Sequence, residues 1–119
     1  VHIWRRSFDV LPPLLTPSDP RYPGNDPKYA ALTADELPLS ESLQDTIARV
    51  RCCWQEIIVP RLEHYDTILI AAHGNSLRGL AMMLLHKTAQ EIVDLEIPTG
   101  KPWVFEVDDR INVTNQYYL

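Results

Sequence analysis

The chain has 119 residues, of which 45% are hydrophobic and 23% charged, and its 16 acidic against 11 basic side chains give a net charge of -5. That length suits one small domain with a modest core, in the composition range of soluble globular proteins. In this acidic chain the longest basic run is Arg5-Arg6, too short to suggest a nucleic-acid partner, and no apolar run comes near the roughly 20 residues of a membrane span.

Residues 1–8 read as the end of a helix, with Trp4 and Phe8 spaced i, i+4 beside Arg5-Arg6. The chain starts at Val1, inside this pattern, without a signal-peptide profile; the expectation is a piece cut from a longer protein. Residues 9–39 form a proline-rich loop carrying Pro12, Pro13, Pro17, Pro20, Pro23, Pro27 and Pro38. Each proline fixes φ and removes a donor, so little beyond short turns is expected. Tyr22-Pro23-Gly24-Asn25-Asp26-Pro27 is dense in turn formers, and Tyr22 and Tyr29 favour a packed loop over a disordered one.

From residue 40 onward the pattern becomes regular and predicts the order αβααββ over 40–119. Ser40 can cap a helix whose apolar stripe is Leu43, Ile47, Val50, Trp54, Ile57 and Ile58. Pro60 is expected to kink or end it near Val59. Cys52 and Cys53 are adjacent, a spacing suited neither to a mutual disulfide nor to a metal site; the expectation is two reduced thiols, one of them buried. Thr67 to Ala72 is a continuous apolar run and predicts a buried parallel strand. The next helix begins near Asn75 or Ser76, with an apolar face of Leu77, Leu80, Ala81, Leu84 and Leu85. Thr88 and Glu91 match a capping box opening a short helix through Ile92 and Leu95, which Pro98-Thr99-Gly100 breaks. Trp103 to Val107 and Ile111 to Tyr118 read as an antiparallel hairpin turning at Asp108-Asp109-Arg110. The whole is an α/β arrangement with too few strands for a complete sheet.

The chemistry concentrates at His73-Gly74-Asn75-Ser76. The carboxyl end of a strand facing the first amides of a helix is where α/β proteins place anionic ligands. His73 can serve there as donor, acid or cation toward an oxyanion. Gly74 admits close backbone approach, and Asn75 can donate to a ligand, cap the helix, or both. Ser76 lacks the flanking glycines of a nucleophile elbow and reads as a first-turn helix residue. Arg5 and Arg6 could grip phosphate or carboxylate, although spacing alone favours a solvated pair. His2, His64 and His86 share no metal-ligand spacing with one another or with His73.

Five separated motifs, Trp4-Arg5-Arg6-Ser7-Phe8, Arg21 to Pro27, Leu37 to Leu43, Ala71 to Arg78 and Ile97-Pro98-Thr99-Gly100, together resemble the C-terminal half of the 2,3-bisphosphoglycerate-dependent phosphoglycerate mutases, a family of the histidine phosphatase superfamily. The resemblance implies the C-terminal part of a three-layer α/β/α fold, with an incomplete, mostly parallel sheet and a terminal antiparallel hairpin. It implies interconversion of 3-phosphoglycerate and 2-phosphoglycerate in the cytoplasm through a phosphohistidine enzyme, primed by 2,3-bisphosphoglycerate and needing no metal. By position, His73 resembles the histidine that stabilises the phosphoryl group in flight, Gly74 and Asn75 the residues contacting substrate oxygens, and Arg5 and Arg6 the pair holding the substrate's anionic groups. This overturns the solvated-pair reading of the arginines. Thr99 and Gly100 would border the pocket. The family's Arg-His-Gly motif, with its nucleophilic histidine, is absent from these residues; the only His-Gly is His73-Gly74. The expected partners are therefore an N-terminal half, small phosphoglycerates and further copies of the protein, and the 119 residues alone are expected to be inactive. Two other readings stay open: a non-catalytic anion-binding or scaffold module, and a phosphatase of the same superfamily.

Overall fold

A computed structural model describes residue 4 and residues 7–119. The expected helix end over 1–8 lies mostly outside the described residues; Trp4 is helical, and the chain has left the helix by Ser7. The chain divides into two compact units, Val1–Asp45 and Thr46–Leu119. It is mixed α/β, with helices and a two-stranded antiparallel sheet.

The first unit is the proline-rich loop with single 3-10 turns at Pro23–Asn25, Pro27–Tyr29 and Ala34–Glu36. Two of the three open on proline, whose fixed φ suits a first turn and whose missing N–H costs nothing there. Asp19 accepts from the Arg21 backbone and forms a fork with its guanidinium at 3.0 and 2.8 Å. The Glu36 carboxylate accepts from both the N–H and the hydroxyl of Thr33. Distant parts of the loop are tied by Leu15 N–H to the Leu39 carbonyl (3.0 Å) and by the Ser40 hydroxyl to the Pro12 carbonyl (2.9 Å). Ser40 is thus a loop tether and not the expected helix cap.

Helix α1, Leu43–Cys53, crosses from the first unit into the second. Its cap is Ser42, whose hydroxyl accepts from Asp45 N–H while its own N–H and hydroxyl donate to the Asp45 carboxylate at 2.9 and 2.7 Å. The reciprocal arrangement satisfies donors that the first turn leaves open. Leu43, Ile47 and Val50 are buried, as the stripe predicts. Beyond them the phase changes. Trp54–Ile58 is a π-helical segment, closed by Val59 N–H to the Trp54 carbonyl, and Val59–Leu62 resumes as a short α2. Pro60 therefore sits inside a continuing helical path and does not end it. It is the second residue of α2, directly after the π segment, whose irregular bonding accompanies the loss of a backbone donor there. The extra π residue turns later side chains by about 100°, which leaves Ile57 exposed instead of on the stripe. Cys52 and Cys53 are both free and exposed, so the expected buried thiol is not found.

The expected parallel strand at 67–72 is also not found. These residues carry no strand pairing, and Leu69 is 88% exposed. A buried parallel strand needs neighbours along both edges, and the sheet among the described residues has two strands only, neither of them parallel. Without a ladder, the backbone here is left to water.

Helix α3, Gly74–Leu85, buries Gly79, Leu80 and Ala81. A Cβ on Gly79 would lie 3.3 Å from Ile47 and 3.5 Å from Val50, so the glycine faces α1 at a tight approach that an added side chain would crowd. The helix ends on His86 in the left-handed region (φ 51°, ψ 37°), with the N–H groups of His86 and Lys87 both donating to the Met82 carbonyl. Thr88 and Glu91 form the predicted capping box of α4, Ala89–Val93. Ile92 is completely buried and Val93 nearly so.

Strands β1, Trp103–Val107, and β2, Val113–Tyr118, pair antiparallel with Trp103 opposite Tyr118 and a bulge between Glu106 and Val107. Trp103 stacks on Tyr118 at 5.2 Å between centroids. In the turn, Asp108 accepts from the N–H groups of Arg110 and Asn112 and from the Asn112 amide.

Candidate functional site

Three of the predicted site residues are consecutive at the start of α3. His73 is the N-cap, extended at φ -67° and ψ 154°, and its carbonyl accepts the first intrahelical bond, from Leu77 N–H at 3.0 Å. Its imidazole makes no capping bond and the residue is exposed. Gly74 and Asn75 are the first two helical residues, both exposed. The helix begins one residue earlier than expected, so Asn75 is not its cap. The sharp change from extended to helical backbone at His73-Gly74 places residue 73 immediately before the first amides of a twelve-residue helix, whose leading N–H groups have no partner within the helix. Exposed amides, the positive end of a helix dipole and a histidine form a donor cluster suited to an oxyanion.

A fourth residue joins this cluster. Arg78 lies one turn along α3, and its Nη1 donates to Asn75 Oδ1 at 3.1 Å. Its Nε donates to the Leu95 carbonyl, just past α4, at 2.8 Å. The same Nη1 is 3.5 Å from where a Cβ on Gly74 would stand. Sequence reading included Arg78 in a motif but gave it no role. The available signal was spacing, since Arg78 stands four residues after Gly74 and three after Asn75, the two separations at which helical side chains are neighbours.

Arg5 and Arg6 lie outside the described residues. Thr99 and Gly100 form a turn, as expected, with Gly100 at φ +77°, a conformation that glycine adopts without strain. Among the described residues, no three His, Cys, Asp or Glu side chains gather as a metal site, and no helix is long and apolar enough to cross a membrane.

Two cavities lie elsewhere. One of about 530 Å³ is bounded by Leu84 to His86 and by Asn112 to Gln116. The other, about 480 Å³, lies among the turns from Pro20 to Tyr29. Neither includes His73, whose cluster is an open surface. In the second, Arg21 is engaged by Asp19, whose carboxyl the guanidinium holds down to about 2, well below the usual carboxylate value. Lys28 is likewise engaged by Asp26 at 3.0 Å, and its ammonium lies 5.1 Å from the Tyr29 ring centroid. These cations are already neutralised, whereas both acceptors on Arg78 are uncharged oxygens that leave its charge standing.

No family model matches the chain.

Proposed function

We propose that this chain carries the oxyanion-binding half of a 2,3-bisphosphoglycerate-dependent phosphoglycerate mutase, in the C-terminal part of a three-layer histidine phosphatase fold. The observation that carries the reading is the exposed His73 imidazole at the N-cap of α3, next to the leading amides of Gly74 and Asn75. Phosphoryl transfer asks a protein chiefly to position the reactants and to stabilise charge on three equatorial oxygens. In this reading His73 donates to a transferring phosphoryl oxygen, and Gly74 and Asn75 donate to substrate oxygens beside it. The exposed, donor-rich character of these residues fits a bisphosphorylated ligand, and 2,3-bisphosphoglycerate supplies the priming phosphoryl group when bound. Arg5 and Arg6 hold the substrate's anionic groups. The nucleophilic histidine comes from residues other than these 119, and the exposed apolar run around Leu69 is where further strands complete the sheet.

The test is reconstitution. The 119-residue chain alone turns over no phosphoglycerate. Mixed with a separately expressed N-terminal half bearing an Arg-His-Gly motif, it interconverts 3-phosphoglycerate and 2-phosphoglycerate when primed with 2,3-bisphosphoglycerate. Turnover by the chain alone, in a preparation free of host mutase, contradicts the proposal. So does a silent mixture of two folded halves.

A further inference from the structure

Resting on that reading of the His73 turn, we infer that Arg78 is a positioning residue that fixes which way the Asn75 side chain faces and ties the turn to the segment after α4. The argument begins with what the two groups can exchange. A guanidinium has only donors. An asparagine amide has an acceptor at one end and two donors at the other, and in isolation it can rotate to offer either. With Nη1 of Arg78 at 3.1 Å, only Oδ1 can face the guanidinium; the reversed amide would set two donors against each other. Arg78 thereby commits Nδ2, with both its protons, to the opposite side. For an anionic ligand this decides whether Asn75 attracts or repels, because an amide oxygen turned toward a phosphate or carboxylate is repulsive.

The second bond extends the effect. Nε of Arg78 donates to the Leu95 carbonyl at 2.8 Å. Leu95 leaves α4 and leads within a few residues to the Pro98-Thr99-Gly100 turn. One planar side chain thus spans the first turn of α3 and the exit of α4 through two of its nitrogens. Lysine, with a single ammonium on a flexible stem, cannot hold both carbonyls in this fixed geometry.

The experiment is a double-mutant cycle on the 119-residue chain, read by calorimetric titration with 3-phosphoglycerate. Amide NMR of the ligand-free protein follows the Asn75 Nδ2 protons. Arg78→Met is expected to weaken binding about tenfold or more and to move the Asn75 side-chain amide signals toward those of a free asparagine. Arg78→Lys keeps a charge but recovers less than half of that loss on a logarithmic scale. In an Asn75→Ala background, Arg78→Met costs under about twofold, because the group through which it acts is gone. A purely structural arginine predicts the opposite: equal losses in both backgrounds and unmoved Asn75 signals, which overturns the inference. Wild-type binding that Arg78→Met leaves unchanged overturns it as well, while the phosphoglycerate reading stands. If the wild type binds no 3-phosphoglycerate at millimolar concentration although Arg78→Met still moves the Asn75 signals, the functional reading fails while the placement of the Asn75 amide by Arg78 stands.

Discussion

His73 is placed by backbone rather than by side-chain bonding. Its carbonyl starts α3, while its imidazole holds no cap and faces solvent. Removing the ring therefore costs the fold little. His73→Ala is expected to shift the unfolding midpoint by less than about 0.5 kcal/mol in stability. Under the proposed function it should lower the kcat of the two reconstituted halves by about 10²–10³, the usual loss for one oxyanion donor. A rate within about twofold of wild type removes His73 from the chemistry. Asp19 offers a residue-scale test of the first unit. Hydrogen bonds and charge from Arg21 hold its carboxyl near 2, so its folded value lies below the ordinary one. The pairing is then intact above the ordinary carboxylate range and is lost as pH falls toward 2. Carbon-detected NMR should show Asp19 titrating there in the wild type and at a higher pH in Arg21→Gln, where the residue-21 backbone N–H is kept but the guanidinium is lost. Ordinary titration in both proteins contradicts the fork geometry.

At the level of elements, local chemistry was legible where it acts over three or four residues. Thr88 and Glu91 announce their capping box, and the two ends of the hairpin follow from alternation about Asp108. Thr88→Ala should cost about 1 kcal/mol in thermal or urea unfolding, a typical cap loss. His86 was not legible as a helix terminator, since glycine is the residue expected in its left-handed conformation. His86→Gly should accordingly raise stability, by up to about 1 kcal/mol, and a decrease would show that the imidazole makes a contact outweighing the strain. The π segment was equally hidden. An apolar stripe extrapolated through Trp54 assumes a constant period, and one extra residue before Pro60 is enough to turn Ile57 outward. Ser42 displaced Ser40 as the cap because Asp45 stands three residues after Ser42, a pairing that Ser40 lacks.

Over the whole molecule, what could not be read was whatever depends on distant partners. The run from Thr67 to Ala72 has the composition of a buried strand, yet composition does not supply the neighbours that make one. Leu69→Lys should therefore change the stability of the 119-residue chain by less than about 0.5 kcal/mol and reduce its tendency to aggregate. Ile92→Ala, which empties the most buried position, should cost about 2–4 kcal/mol. A large loss from Leu69→Lys would mean that the segment is packed in solution. The site shows the same division. The position of His73, Gly74 and Asn75 at a helix start was legible because a break between two periodicities is a local signal. The spacing of Arg78 from Asn75 was a local signal, but its bond to Leu95, seventeen residues away, was not legible, because that proximity is created only when α3 and α4 fold together.

The central claim, that the first turn of α3 receives a phosphoglycerate, is tested most directly by mapping amide shifts across the 119-residue chain as 3-phosphoglycerate is added. The account predicts saturable shifts centred on His73, Gly74 and Asn75, smaller ones reaching Leu95, and their loss in His73→Ala. An unchanged spectrum, or shifts centred on Lys28 or Arg110 with the α3 turn silent, contradicts it.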